Sequence, residues 1–153
     1  MSAWLFVLGD RDAKEWVIAN KTMAFRDHIR ATGLVNGDRF VLYTTRGCYN
    51  NPTRDHSQVI GTGTITSNLR RDPVAINGET FTQSVTLKFD TEPLDRGEGL
   101  DFVSLVPELG FIRKKKSWMA YVRKALVPLP DEDFERVAAR LAEHRATNLS
   151  SST

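Results

Sequence analysis

Between Arg39 and Phe89 the sequence reads as strand-length apolar runs separated by turn signals, and this stretch constrains the fold more than any other. Asn36-Gly37-Asp38 marks a turn into the run Arg39–Tyr43. Val59–Thr66 reads as a second strand, and Gly61 and Gly63 within it predict a bulge or a close approach of two backbones. Asn77-Gly78 lies between "PVAI" and "ETFTQSVTLKF", a hairpin signal because such a turn needs positive φ at both central residues. Ser84–Phe89 then alternates strongly. Upstream, the apolar run Ala3–Leu8 predicts a buried strand. Arg11–Asn20 places Ala13, Trp16, Val17 and Asn20 at i, i+3, i+4 and i+7, the spacing of an amphipathic helix.

The rest of the chain adds helices and no second domain. "LDFVSLVPELGFI" reads as a short helical turn followed by an extended piece. Ser117 is placed to cap a helix running to about Leu126, which Pro128 and Pro130 interrupt. "DEDFERVAARLAEH" predicts a last helix with three acids in its first turn, where the helix dipole favours them. Its inward stripe is Phe134, Val137, Ala138 and Leu141. Residues 1–146 therefore form one domain, and 147–153 read as a disordered tail. The fold class is α+β: about five to six strands, mostly joined by hairpin-type connections, in a small, bent sheet or barrel with flanking helices.

One connection is too long for that plan. Thr44–Gln58, "TTRGCYNNPTRDHSQ", carries no helical or strand pattern, and unpatterned loops of this length in a compact domain are functional or disordered. It holds the only cysteine of the chain and one of its three histidines. Cys48 and His56 would make a thiol nucleophile and its base, but no Asn or Asp is clearly placed to orient the histidine. A loop cysteine without chemical consequence is the plainer reading. "GTGTIT" fails as a phosphate loop because it sits within a strand pattern, not between a strand and a helix.

Composition excludes several classes. With 153 residues, 41% of them hydrophobic, the chain can bury a core. A single cysteine forms no internal disulfide, and Cys48 with scattered histidines gives no metal-ligand spacing, so neither metal nor cofactor is implied. No segment approaches the roughly 20 apolar residues of a membrane span. The apolar run near the N-terminus is too short for a signal peptide, so the expected location is the cytoplasm. The net charge of +2 hides a polarity. Arginines dominate Arg39–Asp72, and acids dominate Asp131–Glu143.

Phe111–Lys124, "FIRKKKSWMAYVRK", has six basic residues, no acid, and Trp118 and Tyr121 interleaved. Arg113, Lys114, Lys115 and Lys116 precede the expected helix N-terminus. Four cations there oppose the dipole unless an anion is expected, and a solvated basic turn is the bland alternative. Trp118, Tyr121, Val122 and Ala125 share one face, the pattern of a core stripe. A core-facing aromatic can also wall a pocket.

The order of these features resembles the EVE domain of the PUA-like superfamily, relatives of the YTH readers of methylated RNA. The resemblance runs through "WLFVL", "VNGDRFVLYTT", "QVIGTGTIT" and "LVPELGFIRKKKSWMAYVRKALVPLPDEDFERV", from about Trp4 to Val137. It implies a bent, barrel-like mixed sheet and a pocket for one flipped, often modified, nucleobase of RNA or DNA. Such a pocket needs a stacking face, groups for the base edge, and cations for phosphates. By this resemblance Phe25 stands where relatives carry a tryptophan, Thr44 and Thr45 match small polar pocket residues, and Trp118 matches the tryptophan after the basic run. Arg113, Lys114, Lys115 and Lys116 become phosphate partners. The long loop becomes the rim of the pocket mouth, with Tyr49 a further stacking face and Arg46 and Arg54 extending the positive surface. Tyr121 joins the ligand-binding set. The reading from another class is a small PUA-like hydrolase of RNA or a modified nucleoside, with Asp27, His28 or Cys48 activating water.

Overall fold

The computed structural model describes residues 2–51 and 55–151. The strands are β1 (Ala3–Leu8), β2 (Thr22–Phe25), β3 (Arg39–Thr44), β4 (Gln58–Ile65), β5 (Val74–Ile76), β6 (Glu79–Phe81), β7 (Gln83–Phe89), β8 (Leu100–Asp101) and β9 (Leu126–Leu129). The helices are α1 (Arg11–Asn20) and α2 (Asp131–Ser151), the latter extending into the segment read as a tail. The main sheet runs β2-β7-β4-β3-β1-β9, with β8 also paired to β4, and it curls into a half-barrel. The α+β expectation holds.

The sheet is mixed because β1 and β3 pair in parallel, Ala3 beside Arg39 through Leu8 beside Thr44. Parallel neighbours need a crossover, which α1 and β2 supply. Asp10 caps α1 by accepting the Ala13 N–H at 3.0 Å. Lys21 ends it in the left-handed region at φ 48°. The stretch after α1, without a clear sequence pattern, supplies β2 at the far edge of the sheet, antiparallel to β7.

Alternation along β1, β3 and β4 divides the core in two. Leu5, Val41, Tyr43 and Val59 face one cluster with Phe102, Leu105, Leu109, Phe134, Val137 and Leu141. Phe6, Leu8, Phe40, Leu42 and Ile60 face the other with Val17, Phe25, Leu34 and Val85. Both faces of the central strands are covered, so they read as near-continuous apolar runs. The expected α2 stripe of Phe134, Val137, Ala138 and Leu141 packs as read.

Both glycine signals in β4 have physical counterparts. The pairing of β3 with β4 slips between Leu42–Gly61 and Tyr43–Val59, a bulge that leaves Ile60 extra. At Gly63 a Cβ would lie 2.3 Å from the Lys88 carbonyl oxygen and 2.5 Å from the Phe40 ring, so only glycine fits. The Asn77-Gly78 turn joins β5 to β6, with φ of 51° and 79°.

The segment after the basic run departs from expectation. In place of a helix from Ser117 to Leu126, Lys115–Val122 forms tight 3-10 turns broken at Ser117 (φ −108°, ψ 30°). Leu126–Leu129 is then strand β9, paired with β1, and its Pro128 sits at the sheet edge where a missing N–H costs no ladder bond. Ser117 is not a cap. Asp133 of α2 holds the preceding corner by accepting the N–H groups of Gly110 at 2.9 Å and Phe111 at 2.8 Å.

Candidate functional site

The bulge in β4 lies opposite Leu42 and Tyr43, one residue before the end of β3 at Thr44. Beyond Thr44 the chain turns. The Thr45 N–H donates to the Leu8 carbonyl at 3.0 Å, and the Cys48 N–H to that of Thr45 at 3.1 Å. Between this turn and the 3-10 segment opens a cleft of about 410 Å³, within the range of small-molecule sites.

Its walls come from three parts of the chain. Thr45, Arg46 and Gly47 follow β3; His56 and Ser57 precede β4; Trp118, Met119, Val122 and Arg123 lie opposite, with Val103 at one end. An aromatic row runs beneath: Tyr43 meets Phe102 edge-on at 4.8 Å, and Phe102 meets Trp118 at 5.5 Å, tilted by 46°. Phe102 is fully buried and Trp118 half-buried, so the row ends in a tryptophan that borders the open space. Met119 and Val103, 54% and 49% exposed, flank it. Arg46 and Arg123 supply positive charge, and none of the residues named as lining the cleft is acidic. Burial pushes the Tyr43 phenol up against the opposing pull of a hydrogen bond with Ser57, so Tyr43 stays neutral, with a hydroxyl able to donate.

Of the residues singled out from sequence, Thr45, Arg46 and Trp118 meet in this cleft. Thr44 lies behind it, 1% exposed, its hydroxyl donating to the Gln58 carbonyl at 3.4 Å. Tyr121 is turned away: its ring meets Phe111 and its hydroxyl accepts the Lys114 N–H at 3.2 Å. Phe25 is a correction. It is 1% exposed, edge-on to Phe6 at 5.7 Å, and belongs to the opposite core cluster. It carries no face for a base in this cleft. Tyr49 lines a neighbouring hollow of about 250 Å³ with Asp55, His56 and Arg96. The cations of Lys14 and Arg96 each lie 5.0 Å from its ring centre, so cations already cover its π surface. Arg54 lies outside the described residues.

Arg113, Lys114 and Lys116 are exposed beside the cleft and do not line it. Lys115 donates from Nζ to the Leu109 carbonyl at 2.6 Å. The helix-terminus cradle expected there does not form, because the kink at Ser117 breaks the turns. The N–H groups of Lys114 and Ser117 already have acceptors. Tyr43, His56, Ser57, Val103, Met119 and Arg123 were not foreseen as lining residues. Met119 and Arg123 had a signal as part of the basic-aromatic run, and His56 and Ser57 as part of the long loop read as the pocket rim.

The catalytic candidates fare differently. Cys48 is fully buried, and burial, outweighing the pull of Lys14, pushes its thiol up to about 11. It is protonated at neutral pH and is not a nucleophile. Asp27 accepts from the Thr82 hydroxyl at 3.2 Å, away from the cleft, and His28 lines a separate hollow. Among the described residues no group of three or more His, Cys, Asp or Glu could hold a metal, and no helix is long and apolar enough to cross a membrane.

Among solved structures, the YTH domain of Mmi1 in complex with RNA superposes with a TM-score of 0.63 at 8% identity, over 97% of this chain and 87% of that one. A second Mmi1 YTH–RNA complex gives 0.64 at 8%, over 96% and 81%. The chain shares the fold of these YTH domains. An NMR structure of a Rhodopseudomonas palustris protein, Rpa0253, shares it, with a TM-score of 0.59 at 16% identity over 93% of this chain and 94% of that one. No protein-family model matches the sequence, and no curated protein matches it. On this fold the cleft stands where the strand β3, the long loop and the Trp118 segment converge.

Proposed function

We propose that this chain is a binding module for single-stranded nucleic acid, RNA foremost, and that the cleft accepts one flipped base, modified in the preferred ligand. The observation that carries the reading is the half-buried Trp118, which ends an aromatic row inside a cleft lined by two arginines and no acid. A base stacked on Trp118 gains about 1–3 kcal/mol. Thr45, Ser57 and Tyr43 offer hydroxyls for its edge, and Arg46 and Arg123 face the flanking phosphates. Arg113, Lys114 and Lys116 add a basic shoulder outside the mouth. That the Mmi1 YTH domains, which share the fold, are solved with RNA supports a nucleic-acid partner. The hydrolytic reading calls on a carboxylate or lysine in the cleft, with Asp27, His28 or Cys48 as candidates; none of these lines it, and His56 is the one general-base candidate among its described lining residues.

The test is fluorescence polarisation with matched short oligonucleotides, single- and double-stranded, RNA and DNA, at two salt concentrations. Each carries a plain base, 5-methylcytosine or N6-methyladenine. Binding that depends on the modification and survives moderate salt is expected. Weak, modification-blind binding that collapses with salt would reduce the claim to phosphate attraction.

A further inference from the structure

Arg123 borders two hollows. On one side is the Trp118 cleft. On the other, past the turn into β9, is a groove of about 830 Å³ between β9, β2 and the chain that follows β2. Arg26, His28, Arg30, Phe81 and Lys124 line it with Arg123, and no acidic residue is among those named as lining it. Among the described residues Arg30, Arg123 and Lys124 make no ion pair, and all three are exposed. Arg26 differs. It pairs with Glu79, and its guanidinium lies 5.7 Å over the Phe81 ring. A planar cation so held is a ready stacking surface for a base, as guanidinium planes are in RNA recognition.

The arrangement is costly for an apo protein. Like charges gathered at one groove repel, and among the described residues no ion pair neutralises Arg30, Arg123 or Lys124. A polyanion would. Aromatic and guanidinium planes interleaved with cations suit a single strand, in which bases and phosphates present themselves alternately. A duplex would offer phosphates only.

We propose that this groove holds the sugar-phosphate backbone and adjoining bases of a strand whose flipped base occupies the Trp118 cleft, with Arg123 gripping the phosphate between them. The proposal rests on the base-binding reading above. It predicts a footprint longer than the cleft and makes Arg30 and Lys124 affinity determinants far from the base.

The experiment compares RNAs of three and nine nucleotides, each with a central adenine or N6-methyladenine, against wild type, Arg30→Gln/Lys124→Gln and Trp118→Ala. Arg30 and Lys124 are exposed and Trp118 is half-buried, and circular dichroism checks the folds. The double variant is expected to lose at least tenfold in affinity for the nonamer and to leave the trimer unchanged. Its nonamer salt slope should fall by about 1.4, two contacts at roughly 0.7 each for single strands. If the trimer binds too weakly to measure, that slope decides. Equal wild-type affinity for trimer and nonamer, or an unchanged slope in the double variant, overturns the groove. Loss in the double variant with no effect of Trp118→Ala would keep the groove and overturn the base cleft instead.

Discussion

Strand β3 begins in a closed corner and ends in an open one. At its start Asp38 is 1% exposed and accepts three bonds, from Ser2 N–H and Trp4 Nε1–H at 3.0 Å and from Val35 N–H at 3.1 Å. Arg39 pairs with Asp90 at 2.7 Å and lies 5.1 Å from the Phe134 ring centre. At the other end Thr45 and Arg46 border the cleft, Arg46 makes no ion pair among the described residues, and apolar Met119 and Val103 stand exposed. Six residues of one strand thus join a corner where the Asp38 carboxylate is held by three donors to a corner that borders an open cleft. The first kind of corner fixes a fold. The second leaves it something to bind.

Substitutions should separate the two corners. The largest effect belongs to the buried aromatic: Phe25→Ala should cost about 3–5 kcal/mol of stability, read by urea unfolding, with the folded protein's affinity for a trimer, too short to reach the groove that Phe25 borders, unchanged. Equal loss of binding in the folded protein would return Phe25 to the site. Asp38→Ala should cost roughly 3 kcal/mol, because three part-buried donors lose one buried acceptor together. A loss under about 1 kcal/mol would mean water replaces the carboxylate there. Trp118→Ala should act the other way, lowering oligonucleotide affinity by about 1–3 kcal/mol while the domain stays folded. Arg46→Gln should be milder still, reducing the salt slope for single strands by about 0.7 and leaving modification preference intact.

A pH dependence belongs to the stability of the closed part. The Cys48 thiol sits at about 11 in the folded chain against an ordinary value of 9.0. A raised folded value means the protonated thiol is favoured by folding, so its contribution is complete below pH 9 and lost as pH rises toward 11. Wild type should therefore lose stability relative to Cys48→Ala between these pH values, measured as urea midpoints. A parallel decline in both would remove the thiol from the account. Below pH 9 a thiol reagent should label Cys48 only after denaturant is added.

Much of the closed part was legible in the sequence. Strand alternation, the Asn-Gly turn and the paired glycines are local patterns, and each forms close to where it was read. Gly63 is the clearest case, because only the absence of a Cβ lets β4 pass Phe40 and the Lys88 carbonyl. The parallel pairing of β1 with β3 was not legible, since it depends on which edge β2 joins, a choice made by packing. The helix expected from Ser117 failed for a related reason. Its residues split between two core clusters, Val122 with one and Ala125 with the other, and a continuous helix cannot serve both.

The open corner was half legible. The basic-aromatic run and the long loop pointed to the right two walls, and Trp118, Thr45 and Arg46 meet there. Composition could not say which aromatic stays exposed. Phe25, Tyr49 and Trp118 carry similar local signals, and only tertiary packing buries the first, caps the second with cations and leaves the third at the cleft. Arg123 was legible only as one cation of the basic run; that it borders two hollows at once comes from packing.

The most direct measurement is a nitrogen–proton NMR titration with a short single-stranded RNA, following the Trp118 indole and the Thr45, Gly47 and Arg123 amides. The predicted result is saturable shifts at these positions, with the Trp4 indole, tied to Asp38, little changed. Shifts confined to α2 or to the Asp38 corner, or none at all with RNA in excess, would contradict the account.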